Sequence, residues 1–233
     1  MFPFLKIILL ILQSFPQAFF NPFFWIVIFI VYWQYNRSAQ LQEKMFGSVK
    51  IKPLEMVMHS VFYGCIGGII GSLVVVFLGV SISEAGLIYV WPLALLLMLV
   101  HPRYMCFSYA AGILSLFSLI LGFPKIDVAG LMALVAVLHL VESLLNYFSG
   151  HINAVPVFMK DKDHGLVGGF SLREFWPVPI ILLVIMTAQI PVQGIVEMPD
   201  WWPLIRPPEY IINNENTLFM MFPVVAALGY GDI

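Results

Sequence analysis

Charge is what this chain has least of. Only 10% of its 233 residues are Asp, Glu, Lys or Arg, against about a quarter in an ordinary soluble domain. That scarcity excludes a water-soluble globule, because too few polar side chains exist to cover its surface. The 11 basic and 13 acidic residues leave a formal charge of −2, and no basic face points to nucleic acid. Cysteine is as sparse. Cys65 and Cys106 both lie in apolar runs, so they read as buried free thiols and not as a disulfide framework or a cysteine-based zinc site. The chain lacks G-x-x-x-x-G-K-[ST], G-x-G-x-x-G and H-E-x-x-H, and no Ser/His/Asp set stands at a nucleophile elbow. Nucleotide binding, zinc-protease and serine-hydrolase chemistry therefore lose their usual marks. The expectation is a protein that is not an enzyme, with no cofactor and no metal. Ionisable groups inside the apolar runs are too few for a charge-coupled pump.

What is present is apolar length. Hydrophobic residues make up 61% of the chain, with 20 Phe and 12 Met, and the mean hydropathy is +0.95. A helix needs about 20 mostly apolar residues to cross a bilayer. The runs Phe23–Tyr35, Met56–Val80, Ala85–Val100, Met105–Leu121, Val128–Phe148, Trp176–Val192 and Thr217–Gly229 approach or reach that length. They predict an all-α integral membrane helical bundle of about six to seven transmembrane helices, a single transmembrane domain over residues 1–233. Residues 1–20, broken by Pro16, read as an interfacial or re-entrant helix, or as the first arm of a kinked span. Asn21-Pro22 reads as a helix start, with Asn as N-cap and Pro at the first helical position. Trp33 and Tyr35, at the far end of that run, suit the headgroup belt.

Three long polar loops, over residues 36–55, 150–175 and 193–216, and three short polar turns, at 81–84, 101–104 and 123–127, separate the spans. Within the second loop, Asn153 to Lys160 leans toward β structure and Asp161 to Gly165 is a turn cluster. Leu166 to Phe170 returns, which predicts a small β-hairpin at the membrane surface. Placing the first two loops and His101–Tyr104 inside gives eight inner basic residues: Arg37, Lys44, Lys50, Lys52, Arg103, Lys160, Lys162 and Arg173. Lys6, Lys125 and Arg206 remain outside. The positive-inside rule then makes residues 36–55 and 150–175 cytoplasmic and 193–216 external. The last run breaks at Gly229-Tyr230-Gly231-Asp232, as though the chain were the N-terminal part of a longer protein.

Glu142 is the one acid deep in an apolar run, and His139, three residues earlier, shares its helix face. An intramembrane ionisable pair suggests a proton relay or ligand site; a hydrogen bond to a neighbouring helix or to interfacial water is the simpler explanation. His59 completes a metal site only where its helix packs beside theirs, and zinc wants three or four ligands. Gly64-x-x-x-Gly68 and Gly67-x-x-x-Gly71 let backbones approach closely, for packing inside the bundle or for a homodimer. Val155, Val157 and Phe158 on one arm of the hairpin and Gly168, Gly169 and Phe170 on the other mark it as a docking element or as a cap on the bundle.

Four segments carry a family likeness. They are Asn21-Pro22-Phe23-Phe24, His101-Pro102-Arg103-Tyr104-Met105, the stretch from Ala154-Val155-Pro156-Val157-Phe158 through Gly168-Gly169-Phe170-Ser171-Leu172-Arg173-Glu174-Phe175-Trp176-Pro177-Val178-Pro179, and Leu228-Gly229-Tyr230-Gly231-Asp232. In this order the chain resembles the membrane domain of MinJ-like, PDZ-domain-containing multi-pass membrane proteins of Gram-positive bacteria. G-G-F-x-L-x-x-F-W-P-x-P is the most specific part. The resemblance implies a bundle in the bacterial cytoplasmic membrane that anchors a cytoplasmic PDZ domain, which this chain lacks, and acts as a cell-division or envelope scaffold. It brings no catalytic residues. The implied partners are the lipid bilayer and other membrane or division proteins. Two other readings stay open: a small transporter or channel subunit using His139 and Glu142, and a membrane partner of a processing protease.

Overall fold

The computed structural model describes residues 4–47, 51–82, 89–90, 92–94, 96–97, 106–150, 152, 154–161, 165–171, 173–187, 199, 201–205 and 217–231. They are mostly helical. In order come α1 (Phe4–Phe20), α2 (Pro22–Phe46), α3 (Pro53–Leu78), β1 (Ser81–Ile82), α4 (Phe107–Leu121), α5 (Val128–Ser149), β2 (Val155–Asp161), β3 (Gly165–Ser171), β4 (Arg173–Thr187) and β5 (Thr217–Gly231). Two of these helices, α3 and α5, are long and apolar enough to cross a membrane, and a third crossing results if α1 and α2, bent by 67°, act as one.

The bend has a local cause. The Asn21 side chain accepts the Phe23 N–H at 2.9 Å, and Pro22 opens α2 with its φ already set. The 36–55 stretch, expected as a loop, is helical through Phe46. Its buried positions Ala39 and Gln42 continue the helical repeat of Phe24, Val27, Val31 and Tyr35. Gly47, at φ 71°, stops the helix and donates to the Glu43 carbonyl at 2.8 Å.

The chain forms two compact units, Met1–Ser14, Gly71–His139 and Ile181–Pro223 in the first, Phe15–Ile70, Leu140–Ile180 and Val224–Ile233 in the second. The first has two buried clusters. Ile7, Ile11, Val76, Ile181, Leu183 and Trp202 make one. Val90 and Ala94 with Ala110, Ala111 and Leu114 of α4 and Leu131 and Val135 of α5 make the other. In the second unit Phe24, Val27, Val31 and Tyr35 of α2 pack with Met56, Val57 and Val225.

The main departure from expectation is at the C-terminal end. The runs Trp176–Val192 and Thr217–Gly229, expected as spans of an all-α bundle, fall instead in strands Arg173–Thr187 and Thr217–Gly231 where they are described. They lie in a three-stranded sheet of order β1-β4-β5, with Ser81 and Ile82 parallel to Leu183 and Val184. Pro177 and Pro179 explain β4. Each removes an N–H and biases the preceding residue away from the helical region, and Val178, Ile180 and Ile181 are β-branched. Both faces of β4 are buried, since Glu174 and Trp176 through Leu183 are all covered. The expected span 85–100 and the loop 193–216 lie largely outside the described residues.

Candidate functional site

The hairpin forms as the turn cluster predicts. Strands β2 and β3 pair antiparallel from Val155↔Ser171 through Asp161↔Gly165. The register sets Val157 opposite Gly169, Phe158 opposite Gly168, and Pro156 opposite Phe170. Gly168 and Gly169 are exposed. The two apolar positions at the middle of β2 therefore have cross-strand partners with no side chain.

The glycines of α3 are used inside the chain. Gly64 and Gly68 are buried, and a Cβ on either would meet the carbonyl of Pro177 or Pro179. Gly67 faces Leu145 and Val141 of α5, whose methyls stand 3.0 Å from where its Cβ would be. Close backbone approach is what the spacing of these residues predicts; the partner of Gly64 and Gly68 is a strand, not a helix. Gly71 is buried beside Ser72. Next to Gly67 an open apolar pocket of about 350 Å³ is lined by Tyr63, Ile66, Ile70, Val141, Leu144 and Phe148.

His139 is exposed on α5 and Glu142, one turn on, is half-buried. The Nε2 of His139 stands 3.7 Å from Cys106 Sγ, and that sulfur is 3.1 Å from Ser108 Oγ. The thiols, expected to be buried, are both half-buried and free. His59 is exposed on α3. Among the described residues no three His, Cys, Asp or Glu side chains gather as metal ligands.

One polar cluster is not foreshadowed by the sequence. Tyr35, Ser60 and Glu174 are all nearly inaccessible, at 2%, 1% and 1% exposure. The Tyr35 hydroxyl lies 2.7 Å from Ser60 Oγ, donates to Glu174 Oε2 at 3.3 Å and accepts the Phe175 N–H at 3.1 Å. The first residues of β4 are thus tied to α2 and α3 through one phenol. In the sequence Glu174 reads as the end of a polar loop, and Tyr35 as a headgroup-belt residue. The one local trace is the four-residue spacing of Ser60, Gly64, Gly68 and Ser72, a small-residue face with polar ends that does not single out Tyr35 or Glu174.

Asp127 opens α5. Its carboxyl accepts the Ala129 and Gly130 N–H groups, yet burial outweighs them and holds it above the usual carboxylate range. No family model matches the chain, and comparison with curated proteins and with solved structures likewise returns no match.

Proposed function

We propose that this chain is a non-enzymatic, multi-pass adaptor of a bacterial cytoplasmic membrane, whose β2–β3 hairpin docks a cytoplasmic protein. The observation that carries the reading is the hairpin register. Val157 and Phe158 lie opposite exposed glycines, so their own hairpin supplies no side chain across from them. An isolated two-stranded hairpin is marginal in water, and docking on a partner stabilises it.

The inward placement rests on the eight-to-three excess of basic residues. With β4 and β5 extended, α3, α5 and the bent α1–α2 pair are the described helices long and apolar enough to cross, and the apolar sequence runs 85–100 and 105–121 bring the count to five. That count brings the hairpin back to the inner face. Division-site or envelope organisation, as the MinJ-like resemblance implies, is the setting that suits such an anchor.

Replacing Val157 and Phe158 together with Ser tests the reading. The expected outcome is loss of cytoplasmic partner capture by the membrane-embedded chain, with an unchanged melting temperature. A lowered melting temperature with capture intact would make the hairpin a mere cap on the bundle.

A further inference from the structure

We propose that Cys106 and His139 form a nucleophile–base pair that accepts a fatty-acyl group from an acyl thioester onto the cysteine sulfur. The pair is built by the α4–α5 hairpin. Ser115 Oγ lies 3.6 Å from Met132 Sδ and Cys106 Sγ lies 3.7 Å from His139 Nε2, so the two helices run antiparallel. Ala110, Ala111 and Leu114 pack between these points against Leu131 and Val135. That packing fixes the sulfur and the imidazole at one level. Nucleophile and base within contact distance is the arrangement that activates a thiol, and the thiolate is the reacting form. Cys106 is the N-cap residue of α4, but its side chain makes no capping bond.

The surroundings select the substrate class. Met132 and Ala136 stand seven and three residues before His139, on its face of α5, and both are exposed. Tyr109 on α4 is 51% exposed. As α5 is long and apolar enough to cross a membrane, this stripe borders hydrocarbon. The stripe is apolar from Met132 through Ala136 up to the imidazole of His139. A fatty chain can lie along it and bring its carbonyl to the sulfur. A water-soluble peptide or sugar gains nothing there. His139 Nε2 takes the Cys106 proton, and the thiolate attacks the acyl carbonyl carbon. The new C–S bond forms at Cys106 as the donor's C–S bond breaks. The departing thiolate then takes the proton back from His139. The exchange of one thioester for another needs no oxidant or reductant. It uses neither the β2–β3 hairpin nor a protein partner, and so stands apart from the adaptor reading.

The test is labelling of the full chain in nanodiscs with an alkyne-tagged palmitoyl-coenzyme A. Hydroxylamine-cleavable label should map to Cys106 by mass spectrometry, persist in Cys65→Ala and fall to background in Cys106→Ala. His139→Gln should slow labelling at least about a hundredfold, the low side of what a general base contributes, while eluting on size exclusion as the parent does. Absence of label on the parent chain, label that survives Cys106→Ala, or a rate unchanged by His139→Gln overturns the proposal. Should Cys106→Ala fail to fold, the mapped site in the parent and the His139→Gln rate decide.

Discussion

Helix α3 and strand β4 are both long apolar segments, and on composition both are crossing helices. They differ in where their backbone-shaping residues fall. Small residues recur in α3 every fourth position, at Ser60, Gly64, Gly68 and Ser72, and all four are buried. In β4, Pro177 and Pro179 fall two apart. Four helical residues rise about 6 Å and two strand residues about 6.6 Å, so the two series run in step. Phe175 meets Ser60 through Tyr35. Gly64 and Gly68 take the carbonyls of Pro177 and Pro179, and the Ile181 N–H donates to Ser72 Oγ at 2.8 Å.

The match solves a problem of backbone satisfaction. In a strand, the N–H and C=O of alternate residues point to one edge. At 177 and 179 that edge abuts the glycines of α3, which offer no acceptor. Proline removes the two donors that would be stranded there. At 175 and 181, where ordinary N–H groups return, a hydroxyl stands ready. Apolarity alone does not choose between helix and strand; the placement of donors, prolines and small residues does.

The largest expected effect breaks this fit directly. Gly68→Leu drives a side chain into the Pro179 carbonyl and should cost about 3 kcal/mol or more of stability, at the upper end of overpacking. Gly112→Leu in α4, where a Cβ meets nothing within 4 Å, should leave the melting temperature close to that of the parent. Equal losses in the two variants would show that the α3 glycines are not a special surface.

A middle-sized effect sharpens the role of the hydroxyls. Tyr35→Phe keeps the ring packed with Phe175 but removes the acceptor of the Phe175 N–H and the donor to Glu174. The expected cost is about 1–3 kcal/mol for the stranded buried groups, read by thermal unfolding in detergent. A neutral result would mean that the start of β4 is held by packing alone.

The smallest effect lies away from β4, at Asp127. Its carboxyl titrates higher in the folded chain than in the unfolded one, so the folded state binds more protons over that interval. Stability from this group is full below the ordinary carboxylate value of 3.8 and declines as pH rises through the folded value. Asp127→Asn keeps an acceptor for the first-turn N–H groups. It should flatten this decline in melting temperature as pH rises above 3.8. A decline of unchanged slope would remove Asp127 as its source.

Several features are legible in the amino-acid order alone. The Asn21-Pro22 start of α2, the apolar lengths of α3 and α5 and the hairpin turn depend on local chemistry: a cap, a run and a β-turn cluster. The strand character of 173–187 is half legible. Two prolines two residues apart argue against a helix, but the surrounding Ile and Leu suit a span equally well. The Tyr35–Ser60–Glu174 cluster is not legible, because its other members lie 25 and 139 residues from Tyr35. Nothing local distinguishes Glu174 from any acid at the edge of a loop. His139 and Glu142 read as a pair along one helix, but the fold also sets His139 beside Cys106, 33 residues away at the start of another helix.

By itself the sequence determined that this chain belongs with a membrane, since a chain with so few charges cannot cover itself in water. It also determined where α2 starts, because the Asn21 cap and Pro22 act within one turn. The tertiary structure decided which apolar segments became helix and which became strand. That outcome depends on whether each backbone N–H and C=O finds a partner across the fold, and the partners of β4 lie on helices far away in the chain.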